Sequence, residues 1–189
     1  MKLQSIFNQL LGMKRNMGDE IRQLIYDRDN FAKLITDAKL SKLSIDLFEI
    51  EDEHMLSFIV FAEKSQFNNW VEAYSALFKR YLYAMEDWDI WIEARETDEE
   101  WTAAMKNIWI HEYFFKWHRL VFEPAHIERL VSSVKGEFIA LNKPSPKIEQ
   151  FTRSLTNVEA ILIRKGSVYD HFFGESDGHY FIYDWGIYD

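Results

Sequence analysis

Between positions 67 and 85 the residues Phe67, Trp70, Val71, Tyr74, Leu77, Phe78, Tyr81, Leu82 and Met85 recur every three or four places. That is the period of one face of a helix. So many large apolar side chains on one stripe must be covered, so the rest of the chain has to supply an apolar layer for them. Ser65 stands just ahead of the stripe as a candidate N-cap. The layer is offered by segments with strand character. Residues 43–47 and 55–62 are rich in β-formers and flank the polar turn Glu51-Asp52-Glu53-His54, which predicts a hairpin. Residues 159–163, 167–173 and 179–185 read as three short strands, with Gly166 and residues 175–178 as their turns.

Further helices fill the intervals. Ile21, Leu24, Ile25, Phe31, Leu34 and Ile35 place one over 19–40, and a shorter one precedes it over 3–13. Thr97 and Glu100 form a capping box at the start of a helix expected to reach about Phe122, its second half apolar on nearly every side. Pro124 suits the first position of the next helix, which carries Ile127, Leu130, Val131, Val134 and Phe138. Asn142-Lys143-Pro144-Ser145-Pro146 is the one strong breaker, and a short helix follows it to Leu155. The alternation of Trp88, Ile90 and Ile92 with acids predicts a short strand over 87–93. The expected class is α+β: a helical layer on a small, mostly antiparallel sheet, with a β-rich C-terminal part. One domain over 1–189 is expected, divisible at the breaker into a helical body with a hairpin (1–142) and the β-rich part (143–189).

Composition excludes several functions. At 189 residues and 48% hydrophobic, the chain can bury a core unaided. It has no Cys, which removes thiol catalysis, CxxC redox chemistry and Cys-ligated zinc. With 7 Gly and 3 Pro, a Gly-rich phosphate loop is not expected, and neither is any cofactor. The N-terminal apolar residues are interrupted by Gln4, Ser5, Asn8 and Gln9, and no apolar run is long enough to span a bilayer. A cytoplasmic setting is the expectation by elimination. A formal charge of −9 argues against direct binding of nucleic acid or anionic lipid.

That charge is local. Residues 86–100 hold eight acids and one base, and residues 166–189 hold five acids and no Lys or Arg. The remainder is slightly basic. The same two segments are aromatic: Trp88 and Trp91 in the first; Tyr169, Phe172, Phe173, Tyr180, Phe181, Tyr183, Trp185 and Tyr188 in the second. Rigid aromatic side chains are favoured interface anchors, and carboxylates around them steer a basic partner. The expected partner-binding residues are Asp87, Trp88, Asp89, Trp91 and Glu93, with Asp170, Glu175, Asp177, Tyr183, Asp184 and Trp185. The partner so described is a basic toxin or nucleic-acid-acting enzyme, a nuclease above all, whose cationic groove accepts carboxylates in place of phosphates. Bacterial immunity proteins are small, acidic and motif-poor in this way, a likeness of type that rests on no shared motif. A phage or plasmid protein mimicking DNA is the alternative within the same binding class. A plainer reading stands beside both: acids in a first helical turn favour the helix dipole, and alternating aromatics fill a sheet's inner face.

Chemistry is less well signalled. His111 and His118 share a helix face and, with Glu112 or Glu123, would form a metal or acid–base site of an enzyme. Glu123-Pro124-Ala125-His126 matches the Glu-x-x-His element of carboxylate-bridged metal bundles in letters only. Asp170-His171 and Asp177-Gly178-His179 put Asp near His, with Ser167 or Ser176 as a nucleophile on paper, but no framing motif accompanies them. Neighbours in a strand point to opposite faces, so Asp170 and His171 are not expected to pair.

Overall fold

A computed structural model describes residues 28–35, 42–51, 55–84, 97–107, 123–124, 131–132, 134–136, 146–165 and 167–187. Along the chain come α1 (Arg28–Leu34), β1 (Asp46–Glu51), β2 (Met55–Glu63), a 3-10 turn (Lys64–Gln66) and α2 (Trp70–Ala84). Then follow α3 (Asp98–Ala104), β3 (Glu123–Pro124), α4 (Pro146–Arg153), β4 (Glu159–Lys165), β5 (Tyr169–Glu175) and β6 (His179–Ile187). The strands form one antiparallel sheet in the order β1-β2-β6-β5-β4-β3. The fold is α+β, with strands concentrated in the C-terminal part. The N-terminal hairpin and the C-terminal strands are one sheet, because β6 pairs with β2 from Met55↔Ile187 to Glu63↔His179. The breaker at 142–146 therefore does not divide the sheet.

Helices cover both faces, and β2 shows how. Phe58, Val60 and Ala62 turn toward α2 and join Tyr74, Leu77, Phe78, Phe173 and Ile182. Ile59 and Phe61 turn the other way, toward Ile148 and Phe151 of α4, with Leu155, Phe181 and Tyr183. A strand buried on both sides loses its polar alternation, which is why residues 58–62 read as one apolar run. Each large side chain so buried contributes roughly 1.5–3 kcal/mol before entropy is counted.

Helix α2 is buried from Trp70 through Phe78 on nearly all sides, well beyond the predicted stripe. Its outer side is covered by α3, where Trp101 donates its indole N–H to Ser75 Oγ at 3.2 Å. The cap differs from expectation. Ser65 lies in the 3-10 turn, and Asn69 caps α2 instead, its Oδ1 accepting from the Glu72 backbone N–H at 2.9 Å. Glu72 reaches back to the Asn68 backbone N–H at 3.0 Å, and Asn69 Nδ2 donates to the C-terminal end of α1 at the Leu34 carbonyl. The predicted capping box of α3 is present in both directions, between Thr97 and Glu100.

Two boundaries are corrected. β1 begins at Asp46 rather than 43, because the Gln66 side chain takes both the N–H and the C=O of Ser44. Glu123 and Pro124 pair with Leu162 and Ile161 of β4, so Pro124 is strand, not the first residue of a helix. An edge strand tolerates the missing proline N–H, which resolves the competition between the two roles. The predicted strand at 87–93 and the helix beyond 107 lie outside the described residues. No helix among the described residues is long and apolar enough to cross a membrane.

Candidate functional site

The six C-terminal residues expected at an interface have different fates. Glu175 is buried and accepts an ion pair from Lys64 Nζ at 2.7 Å, while Lys64 also lies over the Tyr180 ring. Asp177 is exposed, but its carboxylate ties the β5–β6 turn to the loop after α4. Thr156 Oγ1 donates to it at 2.9 Å, and Asn157 Nδ2 donates to both of its oxygens. Asn157 sits at φ 50°, a left-handed position that Asn tolerates better than most residues. Tyr183 is buried against Phe172, with ring centroids 6.1 Å apart. Glu175 and Asp177 thus already serve the fold, and Tyr183 serves the core.

Asp170 and Trp185 remain near the surface, and the register joins them as direct cross-strand partners on β5 and β6. Two residues outward on the same face stand Val168 and Ile187, 44% and 45% exposed, linked by the Ile187 N–H to the Val168 carbonyl at 2.7 Å. An acid, an indole and two exposed aliphatic side chains therefore share one end of the sheet. The other five interface candidates, Asp87, Trp88, Asp89, Trp91 and Glu93, lie outside the described residues. At the end of that segment Asp98 pairs with Lys79 at 3.2 Å, and Glu100 is used in the cap.

Asp184 finds a partner that spacing could not indicate. It lies directly across from His171, and its Oδ2 is 2.8 Å from His171 Nδ1. A carboxylate only accepts, so Nδ1 carries the hydrogen. Both groups face α2, where Tyr74, Phe78 and Tyr81 stand steeply inclined to the imidazole at centroid distances of 6.4, 6.1 and 5.3 Å. Nε2 of His171 is buried without a hydrogen-bond partner. This pair is sealed beneath α2, as part of the core. Ser167 is exposed, Ser176 Oγ accepts from the backbone N–H of His179, and among the described residues the rings of His171 and His179 bond Asp184 and Ser154 instead of either serine.

A second group of polar side chains lies on the other face, at the start of β6. A cleft of about 420 Å³ runs between the β1–β2 strands and α4. Phe61 and Phe151 make its apolar part, stacked with ring centroids 4.1 Å apart and interplanar angle 14°. His179 stands on edge to both, at 5.9 and 5.7 Å. Around the rings stand Asp46, Glu63, Lys147 and Gln150, with Lys147 Nζ on Asp46 Oδ1 at 2.6 Å. The tautomer of His179 is set by a neighbour. Ser154 gives its hydrogen to the Phe151 carbonyl at 2.7 Å, so its Oγ accepts from His179 Nδ1 at 3.0 Å. Burial lowers the His179 pKa below the ordinary 6.5, against the opposing pull of Glu63 and Asp46. The imidazole is therefore neutral at pH 7, with Nε2 as a bare acceptor. Nor can His179 act as a base toward Ser154, whose hydrogen points elsewhere.

No spacing in the sequence joins residues 46, 63, 147, 150 and 179; only the sheet register and the seat of α4 bring them together. Among the described residues no group of three or more His, Asp or Glu stands close enough to hold a metal ion. Of the metal candidates, Glu123 lies in β3, while His111, His118 and His126 lie outside the described residues. No protein-family model matches the chain, and neither characterised proteins nor solved structures give a match.

Proposed function

We propose that this chain is an inhibitor that binds a basic protein and covers its active site, as an immunity protein neutralises a toxin. The observation that carries the proposal is the sheet-end patch: Asp170 and Trp185 paired across β5 and β6, flanked by exposed Val168 and Ile187, in a 24-residue stretch without Lys or Arg. A tryptophan is a favoured interface anchor, and a carboxylate at its side suits the polar rim around such an anchor. The acid-rich segment at 86–93 adds the field that would draw a cationic partner in. A nuclease fits this chemistry, since its substrate groove already accepts anions. Asp184 and Tyr183 act behind the patch, tying β6 to His171 and Phe172 of β5. Cytoplasmic action follows from the same reading, because a toxin inhibitor has to meet the toxin where its targets are.

The test is affinity capture from the source cell, then reconstitution with the captured protein alone. The expected result is a basic protein whose activity falls on binding. Its association should weaken in Asp87→Lys/Asp89→Lys/Glu93→Lys and in Val168→Lys/Ile187→Lys. A reconstituted complex indifferent to both variants overturns the proposal.

A further inference from the structure

The cleft beneath α4 has the chemistry of an arginine pocket. It holds two carboxylates, Asp46 and Glu63, against one ammonium, Lys147, so its formal balance is negative. Among the described residues, Lys147 occupies one oxygen of Asp46, and Glu63 accepts a hydrogen bond from the Ser65 hydroxyl alone, at 3.3 Å. The Nδ1 edge of His179 is taken by Ser154, which leaves its Nε2 edge for the cavity that the ring lines. The groups left over are thus chiefly acceptors: a carboxylate oxygen on Asp46, another on Glu63, the bare imidazole nitrogen and the Gln150 amide. Beneath them the rings of Phe61 and Phe151 are stacked on each other and buried, so they close the floor of the cleft. A ligand that satisfies this set must be cationic and must spread several donors over separate acceptors. A guanidinium presents five donors in a planar fork, whereas an ammonium is a compact point charge with three. The volume, about 420 Å³, sits at the small end of the ~300–1,000 Å³ usual for ligand sites, suiting one side chain rather than a large cofactor.

We propose that this cleft receives an arginine side chain of the basic partner, a step that rests on the inhibitor reading above. The guanidinium enters above the buried rings and donates to Glu63, to His179 Nε2 and to the free oxygen of Asp46. Sequence-distant residues would thereby give the partner a fixed point of attachment besides the sheet-end patch.

The probe is N-acetyl-arginine amide, titrated into the whole protein while the His179 ring and the backbone amides of α4 and β6 are followed by NMR. Saturable shifts confined to the cleft are expected, several-fold weaker for N-acetyl-lysine amide and largely lost in Glu63→Gln. Glu63 is exposed, so this variant keeps its fold, checked by unchanged amide shifts on the α2 face. No saturable shift, an equal response to the lysine probe, or full binding by Glu63→Gln overturns the proposal. Tighter binding of free arginine than of the capped form also overturns it, since the occupant would then be a small metabolite. The patch at Val168 and Ile187 does not line the cleft, so the inhibitor reading and the arginine pocket can fail separately.

Discussion

Gly174 and Phe181 face each other across β5 and β6, and the ring of Phe181 lies where a side chain on Gly174 would stand. A Cβ at Gly174 would come 2.3 Å from Phe181 Cζ. Phe181 is 1% exposed and packed edge-on against Phe151 at 5.9 Å, so it has little room to yield. Gly174→Ala should cost about 1–3 kcal/mol, the usual range for overpacking, read as a lower urea midpoint with unchanged slope. The cause is specific. In a double-mutant cycle, Gly174→Ala with Phe181→Leu should cost less than the sum of the two single changes. The His171–Asp184 pair allows a second test. Asp184→Ala leaves the Nδ1 hydrogen of His171 buried without an acceptor, a loss of about 1–3 kcal/mol. Removing both polar groups with His171→Phe and Asp184→Leu should recover most of it, because an apolar pair in that aromatic layer leaves nothing unsatisfied. If the double variant is less stable than Asp184→Ala, the pair is stabilising in its own right.

Elements take their boundaries from the side chains that serve their ends. Asn69 meets the first turn of α2, whereas Ser65 belongs to the preceding 3-10 turn. Asn69→Ala should therefore cost about 1 kcal/mol, and Ser65→Ala less than about 0.5, compared by urea midpoints in one buffer. The period of apolar residues made α2 legible in the sequence, β-formers between turn residues marked the hairpin and the three C-terminal strands, and the breaker before Pro146 marked the start of α4. What period could not supply was competition at the ends. Nothing local distinguishes Ser65 from Asn69 as a cap, nor tells Pro124 at a helix start from Pro124 on a sheet edge. The clamp of Gln66 on Ser44 spans 22 residues and moves the start of β1 with no local signal at all. The site was less legible for the same reason. His171 and Asp184 are 13 positions apart and meet only through the register of two strands. The acids and aromatics of residues 166–189 looked like one surface in sequence, yet strand alternation sends Tyr180 and Ile182 to the α2 side and Phe181 and Tyr183 to the α4 side.

At the scale of the whole molecule, two helical layers enclose one sheet, and ionisable groups are drawn into both faces. The α4 face offers a pH test through His179. Its pKa in the fold lies below the 6.5 of a free histidine, chiefly because burial disfavours the charged ring, with Glu63 and Asp46 opposing. The unfolded chain therefore takes up this proton first as pH falls. Stability is unaffected by His179 well above 6.5, declines as pH drops through that value, and levels off once the folded ring is also protonated. Other groups contribute to the total curve, so the informative quantity is the difference between the parent chain and His179→Gln, whose amide does not titrate. Urea midpoints measured from about pH 7.5 to about 5.5 should fall more steeply for the parent chain. The cleft sharpens this. An arginine side chain that donates to Nε2 binds only the neutral ring, so a saturating amount of N-acetyl-arginine amide stabilises the parent chain more at the upper end of that range than at the lower. The added ligand should then steepen the parent curve and leave the curve of His179→Gln with its original slope. Parallel curves for the two proteins without ligand would show that burial does not hold this imidazole neutral, and the acceptor role given to Nε2 would fail with it.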